Sequence, residues 1–223
     1  MEIIEAIRNR RSIRGFKSDS VQKKVLEVLL ETCLWAPSSR NQQSCEFAIL
    51  GGRKMDEIKT LLSKKINSKE LENPDLPPAD LTGEHLRRAT ELRDSVDRHQ
   101  FPPGTDRLDE KRAEYWLKGG GFWNAPNAII IYIDKYLGPK AIFDGGIMAQ
   151  TIALTALAYG LGTCIMIRPV NWPDLLRERL KIPESKLILM AIAIGYPDPK
   201  VLANSYERHR DPLEDFTRFY DCD

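Results

Sequence analysis

Much that would point to a particular chemistry is scarce in this chain of 223 residues. Its four cysteines, Cys33, Cys45, Cys164 and Cys222, stand in no CxxC or other metal-ligand spacing. A chain of this length buries a full core without disulfides, so free thiols are expected rather than two bridges. The three histidines, His85, His99 and His209, lie far apart in sequence and lend no support to a histidine metal site. The longest apolar stretch, Ile147 to Met166, is interrupted by Gln150, Thr151, Thr155, Tyr159, Gly160, Gly162 and Thr163. It reads as a buried helix followed by a strand rather than a membrane span. The opening residues are acidic, without the basic start and apolar run of a secretory signal, so a cytoplasmic location is expected. A net charge of +1 gives no global attraction to nucleic acid or membranes, and any anion site must come from local clustering. Finally, no Rossmann-type G-x-G-x-x-G segment is present.

What is present is an ordinary globular composition, 42% hydrophobic and 29% charged. Ile3, Ile4 and Ile7 stand at helical spacing. A second helix is predicted from Ser20, with Val21, Val25, Leu26, Val28, Leu29 and Cys33 on its apolar face and Pro37 stopping it. Phe47 to Leu50 reads as a short strand and Met55 to Ile66 as a helix. Ala128 to Ile133 is almost unbroken apolar, the mark of a strand buried on both faces. A long helix over Ala141 to Tyr159 is apolar nearly all round, which suits a central or interface position, and Gly160 ends it. A strand over Thr163 to Ile167, a helix over Pro173 to Leu180 and a strand over Leu187 to Ile194 complete the core. Residues 67–124 differ: prolines and charges dominate, with helices near Gly83–Arg98 and Asp109–Leu117. This segment is read as a lid-like insertion on one domain spanning 1–223, though pattern alone fits an inert surface excursion equally.

Three constellations carry chemistry. Arg10, Arg11 and Arg14 fall within five positions around Ser12, and guanidinium forks with a hydroxyl suit a phosphate. The loop Trp35-Ala36-Pro37-Ser38-Ser39-Arg40-Asn41-Gln42 offers hydroxyls and amides that can bond a flat heterocycle's edges. Arg208 and Arg210 flank His209 and, in an extended segment, share a side. Taken singly, each has an ordinary reading as well: a solvated basic face, turn capping, exposed tail charges.

Together they resemble the nitroreductase superfamily. Arg10-Arg11-Ser12-Ile13-Arg14 is similar to its R-R-S-x-R signature, and Trp35 to Gln42 to its A-P-S-x-x-N-x-Q loop. Asp144 to Gln150 with Gly160 to Cys164 looks like its central helix and following strand. Gly195-Tyr196-Pro197-Asp198 with the later arginines is similar to its C-terminal end. The resemblance runs the length of the chain in order and is weakest over 67–124.

It implies an α+β fold with a central, mostly antiparallel sheet flanked by helices, in an intertwined homodimer. It further implies FMN as cofactor and NAD(P)H as co-substrate. The small-molecule acceptor would be a nitroaromatic or quinone, in ping-pong turnover, with no nucleic-acid or membrane partner. Carried over residue by residue, Arg10, Arg11, Ser12 and Arg14 match the positions holding phosphate, ribityl chain and pyrimidine edge. Arg208 and Arg210 match a second phosphate clamp, and Pro37, Ser38, Ser39, Asn41 and Gln42 a loop brought by the partner subunit. A backbone N–H at Ile167 or Arg168 matches the flavin N5 partner. No side chain need act as acid or base, because FMN carries the chemistry. Arg168 and Cys45 are placed at the acceptor side; Cys45 and Cys164 read as packing residues rather than redox thiols. Where many members have an aromatic after the loop, this chain has Ser44-Cys45, and the lid triad of the dehalogenating branch is missing. An ene-reductase, a heterocycle dehydrogenase, a flavin-consuming enzyme and a flavin-storage protein remain alternatives on the same fold.

Overall fold

Strand burial dictates the layering. In the computed structural model, which describes residues 2–222, β2 (Asn127–Asp134) has Ala128 to Ile131 wholly buried. Such a strand must have a layer on each face. It lies inside a four-stranded antiparallel sheet of order β1-β2-β4-β3, with β1 at Glu46–Gly51, β3 at Gly162–Met166 and β4 at Lys186–Gly195. Because successive side chains alternate between faces, Ala128 and Ile130 enter one core while Ile129, Ile131 and Ile133 enter the other. A bulge at Ile131/Tyr132 shifts the β2–β4 register by one residue.

Seven α-helices are present among the described residues. One face of the sheet carries α3 (Gly52–Asn67), through Met55, Ile58 and Leu62, and α7 (Pro173–Leu180), through Leu175 and Leu176. The other face carries α2 (Lys23–Cys33), through Leu26 and Leu29, and α6 (Pro139–Ala158), through Ile152 and Ala156. Gly145 allows α6 to approach β4, since a Cβ there would stand 2.3 Å from Leu189 Cδ1. In length and apolarity α6 passes for a membrane span, but its inner side packs against the sheet. Its outer side leaves Phe143 and Ile147 exposed. At the N-terminus, α1 (Ile3–Asn9) exposes Ile3, Ile4 and Ile7 in the same manner.

Two sequence boundaries move. The second helix begins at Lys23 rather than Ser20, because Val21 is drawn into the core and its N–H is taken by Asn127 Oδ1 at 2.8 Å. The strand predicted over Thr163 to Ile167 ends at Met166, where a short 3-10 turn at Arg168–Val170 follows.

The 67–124 segment is tied to the main body at both ends. It carries α4 (Gly83–Gln100) and α5 (Leu108–Leu117), and its Val96, Tyr115, Phe122 and Trp123 lie in the α3-side core. Near its start Asp75 Oδ2 accepts from Ile188 N at 2.8 Å and from the buried Arg177 Nη2 at 2.5 Å. Removing one partner of a buried ion pair leaves an uncompensated charge. Here Arg177 keeps the more distant carboxylates of Asp174 and Glu184, each at 3.5 Å, so Asp75→Ala is expected to cost about 1–3 kcal/mol, the penalty of donors left unmatched, and Asp75→Asn less. The midpoint of urea unfolding measures both.

Candidate functional site

The arginine turn is laid along the free edge of β3. Ile13 N donates to Thr163 O at 2.9 Å, Ser12 bridges Thr163 in parallel, and Phe16 bridges Pro197. Gly162 makes this approach possible: a Cβ there would lie 2.5 Å from Ile13 Cγ1. With Ile13 and Phe16 buried, the half-buried Arg14 between them is held on a rigid frame.

The chain's far end then closes on the turn. Asn204, which sequence reasoning did not single out as a site residue, joins the two. Its Oδ1 accepts from Arg14 N at 2.8 Å and its backbone O from Arg11 Nη1 at 2.8 Å. Its Nδ2 donates to Gly15 O at 2.8 Å and to Asp198 O at 2.9 Å. Arg208 reaches back to Arg8 O at 2.7 Å and to Arg10 O. Arg10, Arg11, Arg14 and Arg208 are thus gathered in one region. Arg210 contributes charge nearby but lines a separate hollow between α4 and the tail, with Arg88, Arg98 and His209. Burial, followed by the charges of Arg11, Arg10 and Arg210, pushes the Arg208 guanidinium pKa below its ordinary value.

Among the described residues, none of these arginines forms a salt bridge, although the rest of the surface is rich in them. Arg10 Nε and Arg14 Nη1 are buried donors without a partner. Such groups carry a standing cost, which an anion with several acceptor oxygens would remove. A phosphate monoester at about −2 charge fits this donor set.

Around Arg14 the surroundings are aromatic. Its Cζ lies 5.2 Å from the Tyr206 ring centroid, 5.8 Å from that of Trp123 and 6.0 Å from that of Trp116. Cys164 sits beneath, its thiol pushed up by burial while Arg14 opposes that shift. All four cysteines are unbonded. Beyond β3, Ile167 is exposed, and Arg168 donates weakly to Trp116 O at 3.5 Å while its Nε is buried without a partner.

The loop of Pro37, Ser38, Ser39, Asn41 and Gln42 is somewhere else. It leads into the start of β1, whereas the arginine turn lies at the start of β3. Register pairs Thr163 with Ile194, Ile194 with Asn127 and Asn127 with Gly51, the far end of β1. The two constellations therefore occupy diagonally opposite corners of one sheet, on the order of 20 Å apart at ordinary strand spacings.

The loop is strained and tightly braced. Arg40, Asn41 and Gln43 have φ of 53°, 55° and 49°, in the left-handed region that L-residues with a Cβ disfavour. Asp144, buried on α6, holds it: Oδ1 accepts from Ser39 N at 3.1 Å and Oδ2 from Ser44 Oγ at 3.0 Å. Ser38 Oγ accepts from Gln43 N at 2.9 Å. Cys45 lines the small hollow beneath with Pro37, Asp144 and Met148, its thiol pushed up mainly by burial. Asp144 was visible in sequence only as part of the Asp144–Gln150 motif, with nothing to connect it to a loop a hundred residues earlier. Asp144→Ala is expected to speed hydrogen exchange at the Ser39 and Gln43 amides and lower the thermal midpoint, while Asp144→Asn keeps an acceptor and stays close to the unsubstituted protein. Equal protection in both variants would show that the carboxylate does not brace the loop.

Known proteins share this organisation. The model of the Nitroreductase family matches residues 7–196. A 4-nitrobenzoate reductase of Pseudomonas putida is 26% identical over 97% of this chain and 95% of its own length. A nitrobenzene nitroreductase of Ectopseudomonas oleovorans is 26% identical over 97% and 96%. Among solved structures, the FMN-dependent nitroreductase NfnB from Mycobacterium smegmatis in complex with NADPH superposes with a TM-score of 0.87 at 24% identity, covering 97% of each chain. Over most of its length, therefore, the chain belongs to the nitroreductase family.

Proposed function

We propose that this protein is an FMN-dependent NAD(P)H oxidoreductase acting on nitroaromatic acceptors as a cytoplasmic homodimer. The observation that carries the reading is the cluster of arginines without carboxylates, drawn from both ends of the chain and left with unpartnered donors. The two relatives named above are a 4-nitrobenzoate reductase and a nitrobenzene nitroreductase, which supports the acceptor class. Four unbonded thiols suit a reducing compartment.

Arg10, Arg11, Ser12 and Arg208 would hold the cofactor's phosphate, with Arg210 adding charge at the rim. Arg14 would face the pyrimidine edge, and the backbone N–H of Ile167 or Arg168 the flavin N5. Bound there, FMN would supply the hydride-transfer chemistry between NAD(P)H and the acceptor. The protein's own part is to bind, orient and exclude water; no acid or base side chain is needed. The diagonal separation of loop and turn supports the dimer. Pro37, Ser38, Ser39, Asn41 and Gln42 reach a flavin at the arginine turn only when a second copy brings them. The exposed Phe143 and Ile147 of α6, with Trp35 beside the loop, supply apolar surface for that contact. Residues 67–124 would then form the wall and lid over the acceptor, with Arg168 facing an acidic substituent and Cys45 at the loop's base.

The purified protein is expected to be yellow, to bleach with NADH or NADPH, and to elute at twice the chain mass. Arg10→Ala should weaken FMN binding about 10- to 100-fold, as loss of charge-assisted hydrogen bonds implies. A colourless protein that takes up no FMN would overturn the reading. For the acceptor, Arg168→Ala should lower kcat/KM for a nitrobenzoate about tenfold or more, the worth of one hydrogen bond to a charged group, and leave nitrobenzene nearly unaffected. Equal losses on both would remove Arg168 from acceptor recognition.

A further inference from the structure

The 67–124 segment does more than stand over a pocket, because two of its aromatic rings are fixed in place against Arg14. Trp123 is set by an unusual backbone. Phe122, Trp123 and Asn124 have φ of 58°, 54° and 58°, three successive left-handed residues, two of them bulky. The glycines just before them serve space instead. A Cβ on Gly120 would lie 1.9 Å from Ile66 Cδ1, and one on Gly119 would lie 3.2 Å from Trp123 Cζ2. Backbone in this region persists only where the surroundings over-determine it. Here Phe122 and Trp123 are buried in the core, which holds them.

Trp116 is set independently. Its Nε1 donates to Asp97 Oδ1 at 3.0 Å, and the buried Asp97 is paired with Arg112 Nε at 3.3 Å. The Trp116 and Trp123 rings meet at 5.8 Å in an edge contact, with Tyr115 against both. Tyr206, from the tail, completes the enclosure at 5.2 Å from Arg14 Cζ.

We propose that Trp116 and Trp123 are positioning residues for Arg14: their rings hold its guanidinium by cation–π contact so that its charge stays available to the flavin. The physical point is the choice of partner. A carboxylate would also fix the arginine, but it would neutralise the charge; π faces orient a cation without cancelling it. The insertion thereby sets cofactor affinity and redox poise, not acceptor choice alone. This rests on the FMN reading above, with Arg14 at the pyrimidine edge, where negative charge gathers on reduction.

The test has two arms. In the flavin-free protein labelled with 15N-arginine, the Arg14 guanidinium signals are expected to be shifted by ring currents, and Trp116→Leu to move them towards random-coil positions. Unshifted signals in the unsubstituted protein would overturn the proposal whether or not flavin binds. In the holoprotein, Trp116→Leu and Trp123→Leu should each weaken oxidised FMN about threefold to tenfold, as loss of one desolvated cation–π contact implies. Reduced FMN should weaken further, the midpoint potential falling about 30 mV for every additional tenfold. Trp116→Phe keeps a π face and should restore most of both. Leucine variants that fold, yet match the unsubstituted protein in FMN affinity and potential, would overturn the proposal. Failure of the unsubstituted protein to bind FMN at all would instead sink the flavin reading and leave the first arm to judge the aromatic enclosure.

Discussion

Guanidiniums gathered without carboxylates repel one another, and much of the architecture answers to that constraint. Arg10, Arg11, Arg14 and Arg208 come from opposite ends of the chain, and each would gain by moving into water. They are kept together by groups that take their hydrogen bonds without cancelling their charge. Backbone carbonyls of Arg8, Arg10 and Asn204 receive Arg208 and Arg11, and aromatic faces receive Arg14. Elsewhere the chain pairs its arginines freely with acids, as in Arg87 with Glu84, Glu91 and Asp211. The contrast marks the turn as a place where positive charge is left unneutralised by the chain's own acids.

The sheet makes that retention possible. β2 and β4 are buried on both faces and set a rigid frame, so β3 offers a fixed edge on which the turn can dock through Ile13 and Thr163. Backbone strain is concentrated in two short stretches, Arg40–Gln43 and Phe122–Asn124; the second stands beside Arg14, and the first would reach the proposed site only from a second copy. In each, buried anchors oppose the strain: the Asp144 carboxylate for the first, the packed Phe122 and Trp123 side chains for the second. A site built in this manner is preorganised, so binding need not be accompanied by ordering of the loop.

Much of this could be read from the sequence, for physical reasons. Periodicity located β2, α6, α7 and the helices of the 67–124 segment to within a few residues, because two-faced burial and amphipathic faces leave a direct imprint on residue order. The arginine turn and the Pro37 loop were legible as motifs. What escaped were residues acting across long sequence separations through one or two hydrogen bonds. Asp144 reaches Ser39 and Ser44, Asn204 reaches Arg14, and Asp75 reaches Ile188. A lone Asp or Asn has no period, and only the fold reveals its partners. The left-handed run at Phe122–Asn124 escaped for a different reason: Phe and Trp carry no residue-type mark of positive φ, which glycine would have supplied. The expectation that Arg208 and Arg210 share a side was also modified, since the former closes on the turn and the latter lines a neighbouring hollow.

Asn204 brings a liability of another kind. Its amide nitrogen ties the tail to the turn through Gly15 O and to the segment after β4 through Asp198 O. Hydrolysis of that amide during storage would replace both donors with an acceptor-only carboxylate facing two carbonyls. It would also place a negative charge among arginines otherwise free of one. A change of one mass unit would then loosen the clasp and offset part of the gathered positive charge together.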